Sequence, residues 1–258
     1  MGLPMRNLLP LYHDIDRALK RSLDKAGHKP SCRKSCAACC HGMQVTVHIL
    51  EGIETARFLG QKHGIDYLKR LGPELYRQSA LLANPATSAA VWKVRGEPCP
   101  LLRDSLCTAY EARPLQCRAW LSVDDPAKCS IPGGKITAVD NTWPIEQMLV
   151  PFQRTAHDNG IPPSYGPLQY QMLLAMLIMT IGKEAYRQRV EGTTLAGALS
   201  AIPWMHIEDE ERSSRARRMA WAELRSTGVR LLRPQEVLDW PEMREIGAAT
   251  HTAVAASA

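Results

Sequence analysis

Residues 32–59 read CRKSCAACCHGMQVTVHILEGIETARFL, and the two halves of this stretch set two different tasks for the chain. The first half crowds Cys32, Cys36, Cys39 and Cys40 together. The second repeats apolar residues from Ile49 to Leu59 at intervals of three and four, the period of a helix with one buried face. If the cysteine segment also turns helically, Cys32, Cys36 and either Cys39 or Cys40 share a face, because residues three and four apart are helix neighbours. Cys39 and Cys40 would then point about 100° apart and could not serve identically.

Working outward, Leu8, Leu11, Tyr12, Ile15, Leu19 and Leu23 predict a helix that stops near Gly27 and Pro30. On the other side, Ile65 to Leu82 predicts a further helix, set off by Gly60 and Gly64 and ended by Asn84-Pro85. Together with Ile49–Leu59 it would form a helical hairpin that returns the chain. From Cys99 to Gly134 the prolines at 98, 100, 114, 126 and 132 predict loops and short turns. Thr108 to Glu111 has capping-box spacing, so one helical turn should begin near Ala109 and end before Pro114. Helices resume over Leu168–Val190, near Leu195 and over Glu208–Thr227, and the tail after Gly247 should fray.

At 258 residues and 45% hydrophobic, the chain can bury a core without cross-links. Aromatic residues are few while Leu, Ala, Met and Arg are plentiful, which points to a mainly α protein. The expected division is a cysteine-cluster metal-binding domain with its N-terminal helix over 1–145 and a helical C-terminal region over 146–258, packed on it. The N-terminus mixes charges into its apolar residues, unlike a secretory signal. The longest apolar stretch, Met172 to Ile181, is half of the ~20 residues that span a bilayer. No membrane span and a reduced, cytoplasmic setting are the expectation.

The formal charge of +6 treats every cysteine as a neutral thiol. A divalent ion held by four thiolates carries about −2, so two such sites would bring the balance to about +2. Arg33, Lys34, Arg103, Arg113 and Arg118 lie near cysteines in sequence and would supply counter-charge.

The remaining cysteines, Cys99, Cys107, Cys117 and Cys129, are too widely spaced for one helix face, so loops must gather them. Loops this long inside a compact domain need a reason to be ordered, and a metal supplies one. All eight cysteines are therefore the candidate ligands, either as two tetrahedral sites or as one shared site with spare thiols. Disulfides and plain burial are disfavoured by the sufficient core and by the tight 32–40 grouping. Zinc and iron-sulfur clusters accept the same ligands, so spacing does not choose between them.

The double cysteine Cys39-Cys40, with Cys99-Pro-Leu-Leu and Cys107-Thr-Ala-Tyr-Glu-Ala-Arg-Pro-Leu-Gln-Cys117-Arg, resembles the YkgJ-like cysteine-cluster proteins, the CxxCxxCC family of zinc- or iron-chelating domains. The resemblance covers about residues 28–135 and gives all eight cysteines a place. The spacing Cys32-x3-Cys36 departs by one residue from the family's nickname. The resemblance implies metal chelation, with an iron-sulfur cluster or iron ahead of zinc, and no settled reaction; a redox or electron-transfer role with a protein redox partner is the leading expectation for such a centre. A similar domain occurs in flagellin lysine-N-methylases, so the alternative is an iron-dependent or protein-modifying enzyme acting on a protein substrate. No Gly-x-Gly-x-x-Gly or P-loop fingerprint supports such a cofactor site.

Among other residues, Arg113 and Arg118 could donate to sulfur, or Arg113 could pair with Glu111 or another acid and order the loop beside Tyr110. His41 and His48 are expected to be ordinary surface or supporting residues. The basic run Arg212 to Arg218 reads as a solvated helix face with Glu208 and Glu211, so nucleic acid is disfavoured as a partner. Trp120, Trp143, Trp204, Trp221 and Trp240 read as packing residues, and Met172, Met176 and Met179 as core.

Overall fold

The computed structural model describes residues 8–84, 87, 89–129, 137–139, 148, 151–152, 154–156, 158–162, 164–191, 193–195, 230–232 and 234–248. The described chain is mainly helical, as the composition predicts. The first helix, α1 (Leu9–Ala26), buries Tyr12, Ile15 and Leu19 along one face. It ends at Gly27, where the His28 N–H bonds back to the Leu23 carbonyl at 3.0 Å. The predicted hairpin is α2 (Ile49–His63) and α3 (Ile65–Ala83), separated by Gly64 alone. A short helix, α4 (Ala89–Arg95), follows and seats the buried Trp92.

One pair of strands organises the core. β1 (Thr46–His48) runs antiparallel to Tyr165–Pro167, with Val47 opposite Gly166. Each strand leads directly into a helix, so α2 and the helix Leu168–Ile181 start side by side and pack along their lengths. Their backbones come close at Gly52, where a Cβ would meet the Gln171 carbonyl oxygen at 2.7 Å. Only glycine admits that approach. Leu168–Ile181 is buried on nearly every side, with Met172 and Met176 in the core and Met179 against it. The apolar run read from the sequence is thus an internal helix, and no helix among the described residues is long and apolar enough to cross a membrane.

Between these helices the chain carries β2 (Leu102–Arg103) and β3 (Leu106–Cys107), joined through Asp104 and Ser105. Both turn residues have positive φ, 48° and 60°, as a two-residue type I′ hairpin requires. Next come the helix α5 (Leu115–Ala119), the strand β4 (Leu121–Ser122) and the helix α6 (Pro126–Cys129). β4 pairs with β5 (Ala138–Val139), which makes Tyr165–Pro167 β6 and Leu168–Ile181 α7.

Three local expectations need correction. The helix predicted over Leu168–Val190 is two, α7 and α8 (Lys183–Val190), because Gly182 at φ 85° breaks it. The helix predicted near Leu195 is a strand, β7 (Thr193–Leu195), parallel to β8 (Arg230–Leu232). Its Thr193-Thr194 pair suits a strand, and its partner lies too far along the chain to be read locally. Trp120 is 41% exposed and is no core residue; Trp240 packs against the core, as does the last helical pair, α9 (Pro234–Leu238) and α10 (Pro241–Ala248), on α3. The predicted helix over 208–227, with its basic run, and Trp143, Trp204, Trp221 and the residues after 248 lie outside the described residues.

Candidate metal centre

The cysteine segment is not the helix its spacing predicted. Only Ala38–Cys40 forms a 3-10 turn, and residues 31–37 run irregularly over the surface. Its ends are tied to other parts of the chain. The Ser31 N–H bonds the Ser122 carbonyl at 2.8 Å, the Cys40 carbonyl accepts from the Cys99 N–H at 2.7 Å, and the Gly42 N–H bonds Glu97 at 2.9 Å. The same bonds bring residues 31–42 to both ends of the loop group.

Each loop cysteine has its own support. Cys99 starts the turn into the β2–β3 hairpin, with the Leu102 N–H on its carbonyl at 2.9 Å. Cys107 closes that hairpin opposite Leu102. Cys117 lies in α5, and Cys129 ends α6, which packs on the Ala38–Cys40 turn. Cys32 Sγ accepts the Ser122 N–H at 3.3 Å. All eight cysteines are free thiols.

Their electrostatics show one neighbourhood. Cys39 shares a hydrogen bond with Cys40, which with burial drives its pKa far up, and ionising it would further disfavour thiolates at Cys32, Cys99, Cys117 and Cys129. Burial pushes the Cys99 thiol up to about 12 and the Cys117 thiol well above its ordinary value. Cys107 is raised by burial and eased by the nearby charge of Arg113. Bare thiolates are thus disfavoured here, and a coordinated cation reverses that preference by deprotonating the thiols it binds. Among the described residues, no three His, Cys, Asp or Glu side chains converge closely enough to hold an ion as they stand. The donor set is nonetheless all sulfur, the chemistry that suits zinc and iron-sulfur clusters.

The arginines support the loop. Arg118, 2% exposed, donates Nε to the Arg113 carbonyl at 2.8 Å and a terminal nitrogen to the Glu111 carbonyl, and it pairs with Asp16 of α1. Its guanidinium also lies 4.4 Å from the centre of the Tyr12 ring. Arg113 stacks 4.1 Å over Tyr110 and pairs with Asp16 at 3.7 Å, while Glu111 pairs instead with Lys62 at 3.2 Å. Of the two readings for Arg113, ordering the loop is the one seen, but through Asp16.

Several supporting residues escaped the sequence reading. Glu51 is buried and accepts the His48 N–H at 3.0 Å, the Leu115 N–H at 2.8 Å and the Tyr12 hydroxyl at 3.5 Å, tying α1, α2 and α5 together. Burial raises its pKa to about 7 against the pull of those donors. His48 is fully buried, not a surface residue; its Nδ1 caps α2 by accepting the Leu50 N–H at 3.1 Å, and burial lowers its pKa to about 3. His41 faces solvent. The spacing of His48 and Glu51 before an apolar run was the available signal, a capping box with histidine in place of serine. Gln78 joins Gln169 at 2.9 Å and the Pro98 carbonyl at 2.9 Å, anchoring the entrance to the loop.

Geometry and donor chemistry thus define a class, a helical protein with a thiol-rich loop domain set against one helical core. Residues 31–132, about two fifths of the chain, match the family model CxxCxxCC, described as a putative zinc- or iron-chelating domain, and the match supports metal binding. No curated protein and no solved structure matches the chain.

Proposed function

We propose that Cys32, Cys36, Cys39, Cys40, Cys99, Cys107, Cys117 and Cys129 are the metal ligands, that they hold iron as iron-sulfur clusters, and that the protein uses them for electron transfer with a protein partner in the cytoplasm. The observation that supports this reading is that backbone hydrogen bonds from Ser31 to Ser122, Cys99 to Cys40 and Gly42 to Glu97 bring two distant stretches of free thiols side by side. Plain core packing would not need them in one place. Four-thiolate sets suit iron-sulfur clusters, whose potentials respond to charge and hydrogen bonding close by. Arg113, whose charge reaches both Cys107 and Cys117, is placed to exert that influence.

Anaerobic purification with iron, sulfide and zinc analysis and visible absorption tests the reading. Iron and sulfide with a broad absorbance bleached by reductant are expected. Stoichiometric zinc in a colourless protein would overturn the iron-sulfur assignment, and a chain that binds neither metal would overturn metal binding altogether.

A further inference from the structure

Residues 20–34 hold six Lys or Arg and one Asp, the densest run of positive charge among the described residues. Lys20 pairs with Asp24 at 3.0 Å. Arg21, Lys25, Lys29, Arg33 and Lys34 are exposed and have no ion-pair partner among the described residues. One contact fixes what lies beside them. The Ser31 N–H bonds the Ser122 carbonyl at 2.8 Å, and the Ser31 hydroxyl donates to the Asp124 carbonyl. Two residues of chain reach at most about 7 Å. Lys29 and Arg33, each two residues from Ser31, therefore gather around the same point as Trp120 and Val123, which lie two residues before Ser122 and one after it. Lys128, paired with Asp124 at 3.2 Å, borders that point.

The cations surround exposed apolar surface. Trp120 is 41% exposed and Val123 39%. α5 buries Leu115, Arg118 and Ala119, and Trp120 follows its last turn with its N–H on the Gln116 carbonyl at 3.0 Å, which leaves the indole outside the core. Trp and Arg are enriched at the centres of protein interfaces, and the polar rim around them excludes water. We infer that the face around Trp120, Val123, Lys29 and Arg33 docks a protein partner whose surface sets an apolar side chain among carboxylates.

Charge complementarity sets the partner's sign, and the two acids within the patch set its class. Asp124 is held by Lys128, and the Asp125 carboxylate accepts the Ala127 N–H at 2.8 Å, so both stay beside Val123. A nucleic-acid backbone or an anionic bilayer lays phosphate over such a patch without discrimination and meets these acids as well as the cations. A protein surface chooses its group at each position, with carboxylates opposite Lys29 and Arg33 and none opposite Asp125. Such pairing steers the encounter and weakens with salt. Cys32 lies between Lys29 and Arg33, so a partner seated here touches the cysteine segment, whether or not that segment holds metal.

Binding of defined probes to the full-length chain, as purified and at physiological ionic strength, tests the docking. The probes are a short Asp/Glu peptide with a Leu pair at its centre, the same peptide with Glu in place of the pair, a short DNA duplex, and phosphatidylglycerol–phosphatidylcholine vesicles. The Leu-bearing peptide should bind about ten-fold more tightly than the all-acidic one, and Trp120→Ala should remove that advantage. Lys29→Glu with Arg33→Glu should weaken both peptides by about ten-fold. Val94→Ser, at the 69% exposed Val94 of α4, should change neither. Wild type gives a readout that needs no variant to fold: the bound Leu-bearing peptide should slow acetylation of Lys29 and leave the exposed Lys183 of α8 unprotected. Equal affinity for the two peptides, an unaltered Trp120→Ala, or an unprotected Lys29 would overturn the inference. So would DNA or vesicles that bind more tightly than the peptide and lose that binding in the Lys29→Glu, Arg33→Glu variant. Metal analysis of the same samples keeps the two readings apart, because a chain without metal that still binds the peptide through Trp120 loses the metal reading alone.

Discussion

Substitution of Glu51 by Gln should change how stability depends on pH, and the structure sets the size of the effect. Glu51 is fully buried between α1, α2 and α5, and its pKa rises from the usual 4.5 to about 7. The folded value lies above the unfolded one, so between these pH values the native state holds a proton that the unfolded chain has released. Stability must therefore fall as pH rises from 4.5 to about 7, by about 3 kcal/mol at 1.36 kcal/mol per pH unit. The amide introduced by Glu51→Gln cannot ionise, so the variant would lack this slope. The nitrogen of that amide cannot accept from the His48 or Leu115 N–H, which costs about 1–2 kcal/mol at every pH. Denaturant titrations of metal-loaded wild type and Glu51→Gln at about pH 5 and about pH 8, on either side of the folded pKa, measure the difference directly, and cysteine ionisation cancels between the two proteins. The variant should be the less stable on the acid side and should match or exceed wild type on the alkaline side. A gap that stays the same at both pH values would refute the protonated, buried carboxyl.

Arg118→Met would leave the Glu111 and Arg113 carbonyls without their donor and Asp16 without its closest cation; a loss of about 3 kcal/mol is expected, with a lower melting temperature and faster metal loss to a chelator. Gly52→Ala places a methyl against the Gln171 carbonyl, which should cost about 1–3 kcal/mol in thermal unfolding while metal content per folded chain stays constant. Stripping the metal from wild type should raise amide exchange over residues 99–129 and leave α2, α3 and α7 protected, because those helices are held by the core; unchanged exchange in the loop would argue that the metal does not order it.

The helices were readable because their signal is local. Leu8 to Leu23, Ile49 to Leu59 and Ile65 to Leu82 each repeat within a turn or two, and α1, α2 and α3 follow them closely. Local periodicity misleads where a longer-range or single-residue feature decides. Gly182 breaks an otherwise helical run, and the 32–40 cysteines carry helix spacing although only Ala38–Cys40 turns.

By itself the sequence determined the inventory: a mainly helical chain, eight thiols in two stretches, and a span, 31–132, that matches a family model for zinc or iron chelation. Tertiary structure decided which thiols are neighbours and what supports them. The β1–β6 ladder, the Ser31–Ser122 and Cys40–Cys99 bonds and the Arg118–Asp16 pair join residues tens of positions apart. Such partners leave no periodic trace, because a hydrogen bond or a buried charge depends on where packing brings a group and not on its distance along the chain.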